Sequence, residues 1–363
     1  MMRKFKKWRL VALLATMTVF LTACGEEYLS TLTPAGKVGQ EQFNLLLLAT
    51  AIMALVIIVV CIIYFISFIK FRRSVIGEDV IPKQVEGSHT LEVIWTVIPI
   101  ILLLILAVPT VMATYELGDT SGMDAVDENG DKRALTVNVT AKLYWWEFEY
   151  PDLGIVTSQE LVVPTNENVY FNLIAADVKH SFWIPAVGGK MDTNVENLNK
   201  FYLEFSEESA RLKDGVFYGK CAELCGPSHA LMDFKVKTLK REDFNAWVTA
   251  MQNTQNRTVA ADVQAGEEAF VANGCIACHA TDAIATTPDD AYASNALGPN
   301  LATFGDRNRV AGVLDHTEEE VVNWLQNSET LKPGNLMPMY DDVPKEELEA
   351  IAAYLMSLSV EQE

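Results

Sequence analysis

Between Cys221 and Met232 the chain reads CAELCGPSHALM, which sets two thiols, an imidazole and a thioether within one short stretch. Cys221, Cys225 and His229 recur every four residues and Met232 follows three later, so one tight loop can turn all four side chains to one point. Thiolate and thioether sulfurs favour copper, whereas structural zinc is normally held by Cys and His alone, which makes Met232 the discriminating residue. A second imidazole, His180, stands upstream in HSFWIP. The loop by itself leaves two other readings open, a Cys2His2 zinc site and a plain Cys221–Cys225 disulfide.

A second constellation, Cys275-Ile276-Ala277-Cys278-His279, spells the attachment site of c-type haem. Both thiols add to the porphyrin vinyl groups, and the adjacent His is positioned to ligate the iron. Ala265 to Asn273 precedes it as a helix candidate, Gly298-Pro299-Asn300-Leu301 can support the His side, and Lys332 to Pro338 offers a thioether from a loop across the haem. Glu346 to Leu358 closes the region as an amphipathic helix. That order resembles a class I cytochrome c, an all-α fold. The resemblance makes Met337, just before Pro338, the sixth iron ligand, with Met339 as its rival and a core role for both methionines as the plain alternative. A thioether opposite His raises the reduction potential, which suits the oxidising end of a respiratory chain.

The elements that must position these residues begin in a membrane. At 363 residues and 50% hydrophobic content the chain has room for two or three domains and is unusually apolar for a purely soluble protein. MMRKFKKWR followed by the apolar run Leu10 to Phe20 reads as an export signal over residues 1–23, too short to span a bilayer. Leu21-Thr22-Ala23-Cys24 resembles the lipobox of bacterial lipoproteins, which would make Cys24 the lipidated first residue of the mature chain. Phe43 to Ile69 and Val93 to Tyr115 contain no charged residue. Each exceeds the roughly 20 residues that cross a bilayer, so residues 43–69 and 92–115 are predicted to form a two-helix transmembrane hairpin. Lys70, Arg72, Arg73 and Lys83 in the connection place it on the cytoplasmic side, and both mature termini and all later domains on the outer face of a bacterial cell membrane.

The exported part divides in two. From Ala134 to Leu239 short apolar alternations such as LTVNV, LYWWEFEY, NVYFNLI, KFYLEF, VFYGK and DFKVKTL predict an antiparallel β-sandwich, assigned here to residues 131–250. The polar stretch 252–262 reads as a linker to the haem region, 263–360. Cys221, Cys225, Cys275 and Cys278 lie outside, where thiols pair or are protected by a cofactor. The formal charge of −20 is concentrated late: from Ala260 onward 19 acidic residues face 4 basic ones. That sign disfavours nucleic-acid binding and leaves a solvated acidic face or the steering of a basic partner protein.

Lipobox, two spans, sandwich, HSFWIPAVGGKMD, CAELCGPSHALM and haem motif in this order resemble subunit II of haem–copper cytochrome c oxidases of the caa3 type, a multidomain membrane protein. The resemblance implies a cupredoxin-like sandwich holding dinuclear copper A, two copper ions bridged by Cys221 and Cys225. It assigns imidazoles to His180 and His229, a thioether to Met232 and a backbone carbonyl to Glu223. It also implies a magnesium shared with subunit I at the Glu223 side chain, with Asp192 in the same neighbourhood. Tyr144, Trp145 and Trp146 resemble the aromatic patch through which an external cytochrome c delivers its electron. Tyr144 stands where relatives have Trp, which suits a tethered haem domain; cross-strand packing is the plainer role for these rings. Glu92 falls where relatives place a proton-uptake carboxylate, although an acid in a first helical turn is favoured by the dipole anyway. The implied partners are the lipid membrane, subunit I with its haem a, haem a3 and CuB, subunit III, and a cytochrome c or a quinol–cytochrome c reductase as donor. Two rivals differ in kind. One is a free-standing membrane electron carrier serving another terminal reductase. The other is a quinol-oxidase subunit that kept the fold and lost its metals.

Overall fold

The computed structural model describes residues 13, 16, 25–77, 80–81, 83–126, 128, 130, 133–285 and 296–361. Cys24 and, apart from Leu13 and Thr16, the expected signal segment lie outside them. The chain forms two compact units, Glu41–Asp119 and the remainder.

The smaller unit contains two long helices, α1 (Lys37–Lys70), which it enters at Glu41, and α2 (His89–Leu117), with a single helical turn at Arg73–Ile76 between them. Both are apolar all round and long enough to cross a membrane. Ser88 caps α2 by accepting the Leu91 N–H at 3.5 Å, and Glu92 lies in its first turn, where the helix dipole favours a negative charge. Pro99 and Pro109 sit inside α2 without ending it.

The larger unit opens with a sandwich of two five-stranded sheets. One has the order β3-β2-β1-β5-β8, from strands β1 (Leu135–Lys142), β2 (Trp145–Tyr150), β3 (Ile155–Ser158), β5 (Asn168–Ala175) and β8 (Asn199–Glu204). The other has the order β4-β10-β9-β6-β7, from β4 (Glu160–Pro164), β6 (His180–Trp183), β7 (Met191–Thr193), β9 (Phe217–Cys221) and β10 (Asp233–Leu239). The antiparallel expectation is corrected at two ladders: β1 pairs with β5, and β10 with β4, in parallel. The reason is that the chain changes sheet between β3 and β4, so β4 enters the second sheet in the direction of β10. The crossing occurs at Gln159, a non-glycine residue at φ 68°. Four hydrogen bonds hold it there: its N–H to Trp146 O, its carbonyl from Lys235 N–H, its Oε1 from Trp146 N–H, and its Nε2 to Asp233 O. Inward side chains follow the two-residue strand period, and Trp146, Phe148, Phe171, Phe182 and Phe234 fill the space between the sheets. Phe182 and Phe234 stack at 4.8 Å.

After β10 come α3 (Arg241–Gln252), α4 (Gln264–Ala272), α5 (Glu318–Leu331) and α6 (Lys345–Met356). Thr317 caps α5 by accepting the Glu320 N–H at 3.2 Å. Helices α4 and α6 cross closely at Gly266, where a Cβ would stand 2.1 Å from the Ala350 carbonyl oxygen. The haem region is helical apart from a two-residue ladder, β11 (Arg309–Val310) with β12 (Leu314–Asp315).

The expected linker is not loose. Gln252 donates to Leu153 O at 2.8 Å, Thr254 Oγ1 accepts the Ala283 N–H at 2.8 Å, and Arg257 donates to Ala302 O at 2.8 Å. Beyond it the haem region pairs with the free edge of β3, since Val156 N–H donates to Ala283 O at 2.9 Å and Ala285 N–H to Gly154 O at 3.1 Å. Ser158 Oγ accepts the Asn300 N–H at 2.9 Å and Glu160 Oε1 the Asn308 N–H at 3.2 Å. Burial at this seam pushes the Glu160 carboxyl from 4.5 up to about 7, against the pull of Arg307.

A carboxyl raised in the fold favours folding fully below pH 4.5, and the contribution is lost as pH climbs through about 7. Thermal melts should show a midpoint that falls across this window, and Glu160→Gln should flatten that part of the profile. An unchanged slope in the variant would assign the dependence to another group.

Candidate metal centre and haem cleft

The soft donors come from three strand ends. His180 opens β6, Cys221 closes β9 opposite Phe182, and the loop from Ala222 to Leu231 returns to β10 at Asp233. Cys221 N–H donates to Met232 O at 3.0 Å, and Ala222 N–H to Ser181 O at 2.9 Å, so the loop is closed at its neck and tied to β6. Inside it, Cys221 Sγ lies 3.9 Å from Cys225 Sγ, 3.9 Å from His180 Nδ1 and 3.2 Å from the Glu223 carbonyl oxygen. Cys225 Sγ lies 3.7 Å from His229 Nδ1 and 3.9 Å from Met232 Sδ. All six expected donors thus face one another.

The sulfur–sulfur distance of 3.9 Å is nearly twice a disulfide bond of about 2.05 Å, so the thiols are free. Met232, at 1% exposure, turns its thioether onto Cys225 instead of into the sheet core. Two thiols, a thioether, two imidazoles and a carbonyl at bridging separations fit a pair of soft metal ions better than one tetrahedral zinc. The two thiols titrate as a pair. Burial raises Cys221, but its hydrogen bonds to His180 and the Glu223 and Ser181 backbone outweigh that and hold it at about 7. Burial and the neighbouring Cys221 push Cys225 up to about 12.

Sequence reasoning passed over Asp177. Its Oδ1 lies 2.8 Å from His180 Nε2, and its carboxylate accepts the N–H groups of Val178 and Leu143, each at 2.6 Å. Burial opposes a charge on His180, but Asp177 and Cys221 overcome it and raise the imidazole pKa. A carboxylate that fixes one ring nitrogen turns the other toward the metal. The signal was present as an acid three residues before the ligand.

The aromatic trio separates by depth. Trp146 is fully buried, with its ring centroid 6.2 Å from that of His180. Trp145 lies under the Lys142 ammonium at 4.8 Å. Tyr144 is buried at the mouth of the haem cleft. The Glu223 side chain is half-buried, and Asp192 pairs with Lys179 at 2.7 Å. Glu92 belongs to the other unit.

The second site is a cleft of about 1170 Å³, including its open mouth, lined by Cys275, Cys278, His279, Met337 and Trp324 among others. Gly274, at φ 76°, turns the chain out of α4 into the attachment motif. His279 Nδ1 donates to Pro299 O at 2.7 Å, which leaves Nε2 as the nitrogen able to ligate iron. Burial lowers the His279 pKa and favours the neutral ring that ligation needs. Met337 Sδ accepts the Trp324 indole N–H at 3.0 Å, and Ser328 Oγ donates to Met337 O at 3.0 Å. Met339 is 45% exposed and does not line the cleft. Trp324 and Ser328 stand on α5, which sequence reasoning missed although Thr317-Glu318-Glu319-Glu320 carries a capping-box signature. Two thiols, a ring nitrogen and a thioether around an apolar cleft fit a covalent haem.

Comparisons with known proteins cover the two helices, part of the sandwich and the haem region. Residues 33–112 match the family described as cytochrome c oxidase subunit II, transmembrane domain, residues 153–239 its periplasmic domain, and residues 263–359 cytochrome c. The chain is 56% identical over 355 residues to a cytochrome c oxidase subunit 2 from Bacillus sp. (strain PS3), covering 98% of each chain. It is 51% identical to a protein of the same name from Bacillus subtilis (strain 168), covering 98% of this chain and 99% of that one. A quinol oxidase subunit 2 from Bacillus spizizenii is 32% identical over 69% of this chain and 74% of its own.

Met337→Leu should abolish the near-infrared sulfur-to-iron absorption of the oxidised protein and lower its reduction potential, because a thioether ligand raises it. Met339→Leu should leave both unchanged. The reverse pattern would move the ligand to Met339.

Proposed function

The chain belongs to the cytochrome c oxidase subunit II family, and on that premise we propose that it is the caa3-type subunit II of a proton-pumping haem–copper terminal oxidase, taking electrons at covalent haem c and passing them through dinuclear copper A to subunit I, where oxygen is reduced to water. The observation that carries this is the convergence of six soft-metal donors in the same compact unit as the haem cleft.

Bound copper and haem supply reversible one-electron chemistry at these places, and the chain breaks no substrate bond of its own. Cys221, Cys225, His180, His229, Met232 and the Glu223 carbonyl would hold the copper. Cys275 and Cys278 would attach the haem, and His279 and Met337, which line the same cleft, would supply its iron ligands. The protein's own work is to keep these donors still. Asp177 fixes the His180 ring, Pro299 fixes the His279 proton at Nδ1, and Trp146 and Phe182 keep water from the back of the copper loop. Donors held in advance need little rearrangement when one electron arrives or leaves.

Several finer assignments belong to the same proposal. The Glu223 side chain reaches a magnesium at the boundary with subunit I. Tyr144, Trp145 and Trp146 lie along the electron path, and Glu92 takes up protons at the start of α2. Residues 43–69 and 92–115 cross the bacterial cell membrane. Both mature termini, the copper domain at 131–250, the linker at 252–262 and the haem domain at 263–360 face outward. Cys24 carries the lipid after removal of residues 1–23. Subunit III completes the complex, and a cytochrome c or quinol–cytochrome c reductase supplies the electrons.

Optical and spin-resonance spectra of the purified protein should report haem c and mixed-valence copper together. The tagged chain should also co-purify with a haem a subunit. Copper and haem c without that subunit would favour a free-standing carrier, and haem without copper would contradict the relay. In the complex, Glu92→Gln should slow proton-coupled turnover while both spectra stay intact, and undiminished turnover would remove the proton role.

A further inference from the structure

Ser228 separates the copper loop from the haem domain by a single hydrogen bond. It is fully buried, and its hydroxyl donates to the Pro333 carbonyl at 2.7 Å. On one side Ser228 is joined by a peptide bond to His229, whose Nδ1 lies 3.7 Å from Cys225 Sγ. On the other, Pro333 begins the short loop that ends at Met337, and Asn335 Oδ1 holds that loop by accepting the Met337 N–H at 2.8 Å.

Two glycines let the loops approach this closely. A Cβ at Gly226 would stand 2.5 Å from the Tyr144 hydroxyl oxygen. One at Gly334 would stand 3.2 Å from the same oxygen and 3.7 Å from Pro227 Cγ. Both glycines also have positive φ, 139° and 78°, so a side chain would be strained at either, and at Gly226 it would also collide with Tyr144. Tyr144 is clasped between the two loops.

We propose that Ser228 is a positioning residue for transfer between the two redox sites. Its hydroxyl holds the Met337 loop against the copper loop, and its bond to Pro333 is the one non-covalent link in a run of atoms from the imidazole of His229 to the thioether of Met337. The inference rests on the relay reading of the two sites. Electronic coupling falls steeply across an open gap and much less along bonds, so this contact gives the sites a short bonded route. The transfer moves one electron from reduced iron to the oxidised copper pair. Ser228 makes or breaks no covalent bond and gives up no proton. The hydrogen bond is one of many along the seam, so its contribution to docking is modest. Its effect is therefore on alignment more than on folding.

The test uses the full oxidase complex with both cofactors loaded. Ser228→Ala should leave haem and copper content and spectra unchanged, yet slow the haem-to-copper step after photoreduction by about tenfold, the scale of a small misalignment. The copper spin signal should also lose part of the relaxation that oxidised haem imposes on it, a readout independent of turnover. Ser228→Thr keeps the hydroxyl and should restore both. Gly334→Ala wedges the loops apart without touching Ser228, so it should slow the step even if Ser228→Ala fails to fold. Unchanged rates and relaxation in both variants would overturn the positioning role and leave the relay intact. Loss of copper from Ser228→Ala would overturn it too, by making Ser228 part of the metal scaffold. No haem-to-copper transfer in the unmodified complex would overturn both readings.

Discussion

Two sulfur atoms 3.9 Å apart in a half-buried loop cannot both carry a negative charge unless positive charge is shared between them. Most of the larger unit follows from meeting that condition. Cys221 ends a strand whose partner begins with His180, so thiol and imidazole are set by sheet register. The return to β10 brings Met232 back under Cys225, and the bond from Cys221 N–H to Met232 O locks the loop. Gln159 then holds the backbone beside Trp146 and Asp233, next to the site, in a conformation that few residues adopt. The strained corner and the aromatic core serve the same end, which is to let the donors move as little as possible.

The second condition is closeness. A haem domain on a loose tether would spend much of its time away from the copper loop. Here residues 252–262 are tied to both neighbours, Asn300 and Asn308 bond to Ser158 and Glu160, and Ser228 bonds to Pro333. These contacts come from loops and strand edges and are mostly single hydrogen bonds to backbone groups. Each is small, but together they fix an orientation, and orientation is what an electron relay requires.

The chemistry was legible in the sequence because ligand types and spacings are local. CAELCGPSHALM and CIACH each lie within one loop or turn, and the two apolar runs announce the helices of the smaller unit by length alone. What stayed hidden was set by contacts distant in sequence. Strands β3 and β7 have only four and three residues, too few for period-two alternation to register, and β4 carries a continuous apolar run instead of an alternation. The parallel ladders follow from the switch of sheets at Gln159, which no run of residues advertises. Helix α5 was missed because its apolar face is sparse, although its cap is plain in Thr317 to Glu320. Asp177, Ser228 and Glu160 look like ordinary surface polar residues until the fold buries or pairs them.

The pairing of Ala283 and Ala285 with β3 has a consequence for solubility. β3 is the outer strand of its sheet, and an uncovered edge offers unpaired N–H and carbonyl groups to any other extended chain. The haem domain supplies the groups that Val156 and Gly154 would otherwise present to neighbours. It thus guards the copper domain against edge-to-edge aggregation, a duty unrelated to redox chemistry. That protection is available only after the haem region has been synthesised and has folded, so the chain is most exposed to self-association while its last domain is still missing.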